Sequence, residues 1–203
     1  MWYRYRKSTP KEVKGGIKAQ SKRGEFAQKW WAKRWISALE TFNDSARLRR
    51  GRSYARKGQV LSIDIRKGVV EASVQGSRKK PYRVVIETSM LSEEAWRQVI
   101  ELLTTQAVYA AKLMAGEMPT DIETIFDKSN ISLLPSHHEE LQTDCSCPDW
   151  SNPCKHVAAV FYLLGEEFDR DPFLIFTLRG MDRETFIDLL EKGSEAVTNL
   201  STN

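Results

Sequence analysis

No stretch of about 18 apolar residues occurs in this 203-residue sequence, which excludes a bilayer-spanning helix. The opening residues, Met1-Trp2-Tyr3-Arg4-Tyr5-Arg6-Lys7, lack the apolar segment of a secretory signal. A cytoplasmic location is therefore expected, where thiols stay reduced. No phosphate-binding loop is present, because neither Gly15-Gly16 nor Gly51-Arg52 leads into Gly-Lys-Ser/Thr. Cysteine and histidine are scarce, at three each. An odd number of cysteines leaves one over from any disulfide.

The three cysteines all lie in Cys145-Ser146-Cys147-Pro148-Asp149-Trp150-Ser151-Asn152-Pro153-Cys154-Lys155-His156. The spacing is C-x-C, six residues, then C-x-H. Three thiolates and an imidazole are a full donor set for tetrahedral zinc. The competing reading is a redox pair with a spare thiol; the histidine two residues after the last cysteine favours the metal. Leu141 to Cys147 reads as a strand, in which residues two apart share a side, so Cys145 and Cys147 can offer both sulfurs to one ion. Pro148, Asp149, Ser151, Asn152 and Pro153 then reverse the chain. Cys154 and His156 would diverge by about 200° within one helix, so Cys154 is expected just outside it and His156 in its first turn. Val157, Val160, Phe161 and Leu164 form the inward face, and Gly165 is expected to loosen the end of the helix. His137 and His138 read as loop residues rather than ligands. The predicted cofactor is one structural Zn2+ on Cys145, Cys147, Cys154 and His156. Filling all four positions leaves no place for water or substrate, so catalysis is not expected.

At 41% hydrophobic the chain can bury a substantial core, and zinc need not hold all of it together. Charge is unevenly spread. Residues 1–83 hold 23 basic and 6 acidic residues, a surplus of 17, and the remainder carries a deficit of 13. Such a split suggests that the first part meets a polyanion, or that the two parts attract each other.

The pattern divides the chain into a basic arm (1–24), a basic helix with an antiparallel sheet (25–90), a helical region (91–135), the cysteine-histidine stretch (136–168) and C-terminal helices with a tail (169–203). A helix is expected from about Glu25 to Phe42, with Trp31, Trp35, Ala38 and Phe42 as core and Trp30 the more exposed, ended by Asn43-Asp44-Ser45. Arg47 to Gly58 is a basic lead-in to three alternating strands over 60–65, 69–74 and 82–87, a meander with one face on a core. Its ends carry Arg49, Arg50, Arg52, Arg56, Lys57, Arg78, Lys79, Lys80 and Arg83. With Lys155 these are the candidate nucleic-acid contacts, and Tyr54 and Tyr82 could stack a base. Edge-protecting charge is the alternative use of such residues. Ser92 caps one long helix ending at Gly116, and Ile131 to Pro135 is a buried connector. Pro172 starts a short helix, Asp182 caps another that Gly193 ends, and a frayed tail follows from Ser194. The fold class is α+β.

The twelve-residue stretch resembles a SWIM zinc finger, with Pro148, Asp149, Trp150 and Asn152-Pro153 between the ligand pairs. Gly51-Arg52-Ser53-Tyr54-Ala55-Arg56, Val74-Gln75-Gly76-Ser77-Arg78 with Pro81-Tyr82, and Asp169-Arg170-Asp171-Pro172-Phe173 are similar to stretches of bacterial SWIM zinc-finger proteins. The resemblance implies a strand-turn-helix finger and binding to nucleic acid, DNA foremost, or to proteins. It also implies a Snf-type helicase-like ATPase as partner. A pure protein-interaction adapter, docking through the acidic second part and the C-terminal helices, is the alternative.

Overall fold

The computed structural model describes residues 9–41, 45–135 and 140–201. The expectations for Phe42, Asn43, Asp44, His137 and His138 lie outside them. Strands β1 (Val60–Arg66), β2 (Val69–Val74) and β3 (Tyr82–Thr88) form the expected meander. A fourth strand, β4 (Leu141–Cys145), adds antiparallel to β3 and gives the order β1-β2-β3-β4. The alternation of burial along β2 and β3 follows the sequence pattern, with Val70, Ala72, Val74, Val84 and Ile86 inward. In β1 a register irregularity falls between Val60 and Ser62. It turns Val60 inward and leaves Leu61 exposed, although period two would group Leu61 with the half-buried Ile63 and Ile65.

Eight helices accompany this sheet among the described residues: α1 (Trp30–Glu40), α2 (Ser45–Lys57), α3 (Glu93–Thr104), α4 (Ala107–Met114), α5 (Glu123–Lys128), α6 (Lys155–Arg170), α7 (Phe173–Leu178) and α8 (Arg183–Ser201). The centre is α6, buried from His156 to Glu166 and again at Phe168. Its apolar surface is thus covered all round, not on one stripe. Trp35 of α1 stacks on Phe161 at 4.2 Å and meets Phe168 edge-on, pairs worth about 1 kcal/mol each beyond their burial. As expected, Ser92 Oγ accepts from Ala95 N at the start of α3, Asp182 Oδ1 accepts from Thr185 N at the start of α8, and Leu133 and Leu134 of the connector are buried.

The structure corrects several expectations. The first helix starts at Trp30, not near Glu25, and the carboxylate of Asp169 accepts from Gln28 N and Lys29 N at that start. The basic lead-in is itself a helix, α2. A Cβ at Gly51 would lie 2.5 Å from Ala158 Cβ and 3.1 Å from the Ala158 backbone, so glycine here lets α2 lie directly on α6. The long helix after Ser92 breaks between Thr104 and Ala107. Gly165 does not end α6; its missing side chain makes room for Ile36 Cδ1, 2.7 Å from a Cβ built there. Gly193 likewise lies inside α8, against Thr104 of α3, and that helix runs on to Ser201 where a tail was expected.

The arm docks from Thr9 onward. Ile17 N donates to Val60 O, Ala19 N to Ala55 O, and Gln20 N and Ser21 N to the buried carboxylate of Glu166 on α6. Among the described residues no helix is long and apolar enough to cross a membrane.

Candidate metal centre and adjoining cleft

Strand β4 ends at Cys145. Ser146 prolongs its pairing with β3, since Ser146 N donates to Arg83 O and Arg83 N donates to Ser146 Oγ. This places Cys145 and Cys147 on one side. The chain then turns through a cis Asn152–Pro153 bond. The Asn152 amide ties the turn to β4, donating through Nδ2 to Thr143 O and accepting at Oδ1 from Thr143 Oγ1. Cys154 is the extended residue before α6, outside the helix as its spacing to His156 requires, and His156 stands in the first turn.

One ligand atom from each of Cys145, Cys147, Cys154 and His156 lies within 4.8 Å of the others. His156 Nδ1 is 3.8 Å from Cys145 Sγ and 3.6 Å from Cys154 Sγ. A tetrahedral zinc with bonds of about 2.0–2.3 Å has S–N edges of roughly 3.6 Å, so the donor set has the size and chemistry of one structural zinc. The geometry selects Nδ1 as the nitrogen facing the ion, which the sequence does not reveal. Cys145 hydrogen-bonded to Cys154 holds the Cys154 thiol down to about 4 against its own burial, with His156 and the Val157 N–H adding, while Cys145 is pushed up.

The imidazole of His156 is wedged between Tyr82, 4.7 Å away between ring centres, and Tyr54, edge-on at 5.3 Å. A Cβ at Gly76 would come 2.4 Å from the Tyr82 ring and 3.2 Å from His156 Nε2. Gly76 is therefore the gap that lets Tyr82 lie on the zinc histidine. Gly76→Ala is expected to weaken zinc about 10- to 100-fold, the usual size of outer-layer effects on metal sites. Chelator competition measures this, and an unchanged affinity would refute the role given to the gap.

Beside the metal centre opens a cleft of about 730 Å³, bounded by Thr9 and Pro10, by Arg47, Arg50 and Tyr54 of α2, by Ser77 and Tyr82, by Cys147 to Trp150 of the finger, and by Lys155 and His156. Arg47, Arg50 and Tyr54 recur at three and four residues and so share one face of α2. Arg47 Nη2 donates to Asp149 Oδ1 at 3.3 Å, and its guanidinium lies 5.5 Å from the centre of the Trp150 ring. Desolvation raises the Asp149 carboxyl, but Arg47, the Ser151 N–H and Lys155 outweigh it and leave it below its usual value. Lys155 Nζ sits 5.9 Å from the Tyr54 ring centre. Burial, then Tyr82 and the thiols of Cys147 and Cys154, push the Tyr54 phenol up to about 12, so it stays neutral. Trp150 is 90% exposed, far more than any other large apolar residue described.

Of the ten basic residues singled out from the sequence, Arg50 and Lys155 line this cleft. Arg78, Lys79 and Lys80 are exposed and follow its Ser77. Arg49 and Lys57 are exposed on α2. The other three are engaged elsewhere: Arg52 with Tyr162 Oη and Glu40, Arg56 with the carbonyls of Ser21 and Gly24, and Arg83 with Glu71. Sequence reasoning did not single out Arg47, whose helical spacing to Arg50 and Tyr54 was the available signal. It also passed over the buried glutamines. Gln59 Nε2 donates to Lys11 O and Gln75 O, and Gln75 Nε2 donates to Gly76 O and Arg78 O, which together shape the loop that carries Gly76 and Ser77.

Comparison with known proteins places the SWIM zinc finger family on residues 130–165. The chain is also 52% identical, over 180 residues, to the uncharacterized protein Rv2102 of Mycobacterium tuberculosis. That alignment takes in 89% of this chain and 65% of the relative, so the chain spans less than two thirds of the relative's length. No solved structure matches.

Proposed function

We propose, from the match of residues 130–165 to the SWIM zinc finger family, that this chain is a non-catalytic module that grips nucleic acid, DNA foremost, in the cleft beside its zinc site. The observation that carries this is the meeting of Arg47, Arg50 and Lys155 with Tyr54, Tyr82 and Trp150 in one concavity, on a chain whose first 83 residues carry a surplus of 17 positive charges. Phosphates would neutralise the cations, and the aromatic rings would supply sequence-tolerant contacts. Four protein donors complete the zinc coordination, so the ion orders the finger and offers no position to a substrate. A salt titration of binding to a labelled DNA oligonucleotide tests the reading. With three to five phosphate contacts, log Kd is expected to rise against log salt with a slope of about 2 to 4.5. A flat dependence, or no binding at low salt, would sink the reading.

The same proposal takes in a Snf-type helicase-like ATPase as the protein this module serves. A pull-down that enriches no such ATPase counts against that part. For the adapter reading, Phe173, Ile175, Phe176, Leu178, Phe186 and Leu190 of the C-terminal helices are core residues, whereas Leu189 of α8 is exposed. Val108 and Met114 on α4 are exposed as well.

A further inference from the structure

We propose that the cleft is built for an unpaired nucleotide, with its base laid on Trp150 and its phosphate held by Arg50 and Lys155, so that the protein prefers single strands to duplex. The inference rests on the nucleic-acid reading above and goes further by naming the form of the ligand.

Three features on different elements point this way. First, Trp150 sits on the finger loop and is 90% exposed, where burial would ordinarily be favoured. Arg47 stands 5.5 Å from the ring centre and is itself tied to Asp149, so the indole is braced by a fixed cation while most of its surface faces out. A flat aromatic surface held in this way can stack on a base only if that base has a free face. In a duplex every internal base has both faces occupied by its neighbours.

Second, the site is concave. Its roughly 730 Å³ falls within the size range of clefts that enclose small organic ligands. A nucleotide fits such a volume and a duplex does not. A convex duplex backbone laid over it would reach the rim cations but neither Tyr54 nor Tyr82, whose rings line the depth beside His156. Third, the cations are placed for a single backbone. Arg50 lies on the face of α2 shared with Arg47 and Tyr54, and Lys155 begins α6 on the finger side. Phosphate can thus be met at the same cleft as the indole. Among the described residues Asp149 is the one carboxylate lining the cleft, and its charge is already met by Arg47.

The test is fluorescence anisotropy on the zinc-loaded full chain. The probes are a single-stranded DNA of about 12 nucleotides, a site-sized length for single-strand binders, the same sequence as duplex DNA, and the same sequence as single-stranded RNA. Single strands are expected to bind about tenfold more tightly than duplex. Trp150→Ala is expected to cost single-strand binding about tenfold and duplex binding almost nothing, whereas Trp150→Phe should keep most of the affinity, as one stacking contact would. Because Trp150 is exposed, neither substitution should disturb folding, and zinc content checks this. Preference for either single strand over duplex supports the inference, and the DNA and RNA arms then name the sugar. Equal binding of duplex, with Trp150→Ala without effect, overturns the inference and leaves the nucleic-acid reading standing. Absence of binding by all three probes overturns both.

Discussion

Replacing Cys154 by serine is expected to leave the purified protein without zinc and to lower its thermal midpoint by about 10 °C. Cys154 closes the site from the start of α6, and its sulfur is 3.6 Å from His156 Nδ1. Zinc contributes roughly 10–16 kcal/mol to peptide-sized fingers. Here much of the fold stands without it, because Trp35, Phe161, Leu164 and Phe168 are buried in an apolar core that continues through α6. The metal's share therefore falls on residues 145–156 and on the pairing of β4 with β3. A net loss of about 3–5 kcal/mol moves the midpoint of a domain this size by roughly 10 °C. Metal analysis and calorimetry on wild type, variant and chelator-treated wild type give the comparison. Hydrogen exchange should rise at residues 145–156 and stay low at the centre of α6. Retention of one zinc per chain by the variant, or an unshifted midpoint in metal-free protein, would refute the account of this centre.

Arg50→Glu combined with Lys155→Gln is expected to weaken binding to a nucleic-acid probe roughly a hundredfold at moderate salt and to lower the salt slope by about 2, one for each phosphate contact removed. Arg50 is exposed and reaches the cleft from α2, so its replacement removes a contact without removing packing. Glutamine at position 155 keeps the length of the side chain at the start of α6 while deleting its charge; zinc content should remain at one. The contrast is as informative as the effect. Arg52 and Arg56 are as basic as Arg50 but are held by Tyr162, Glu40 and the carbonyls of Ser21 and Gly24. Arg52→Gln and Arg56→Gln are expected to lower stability by about 1 kcal/mol through lost hydrogen bonds to charged groups, with binding almost unchanged. If all four positions weaken binding equally, contact is diffuse and the cleft has no special part in it.

The sheet and the metal ligands were legible in the amino-acid sequence because each follows from a short-range rule. Alternation along β2 and β3 survives because one face is buried along their whole length. The two tight ligand pairs are local chemistry and need no knowledge of the rest. Helix α2 was not legible because its inward side is built from Leu48, Gly51 and Ala55, too small to show as a stripe among Arg and Lys. Gly51, Gly165 and Gly193 read locally as breakers, yet each marks a place where another element comes too close for a Cβ. Such closeness is tertiary and leaves no local trace. The register irregularity of β1 at Leu61 and the joining of β4 to β3 depend on partners on other strands, far along the chain. The cleft was half legible. Its cations were visible as composition, but their division into facing and engaged sets depends on the helical faces of α2 and on acceptors supplied by Tyr162, Glu40 and the arm.

The carboxylate of Glu166 that receives Gln20 N and Ser21 N fixes an order of events during synthesis. The two ends of that contact are 146 residues apart in the chain. At the usual rate of roughly 5–20 residues per second, the arm waits about 7 to 30 seconds between leaving the ribosome and finding its acceptor. Throughout that interval the most basic part of the protein is out, while the helix that will hold it, and the cysteines that precede that helix, are still being made. The basic arm is therefore among the last parts of this chain to settle, although it is translated well before its acceptor.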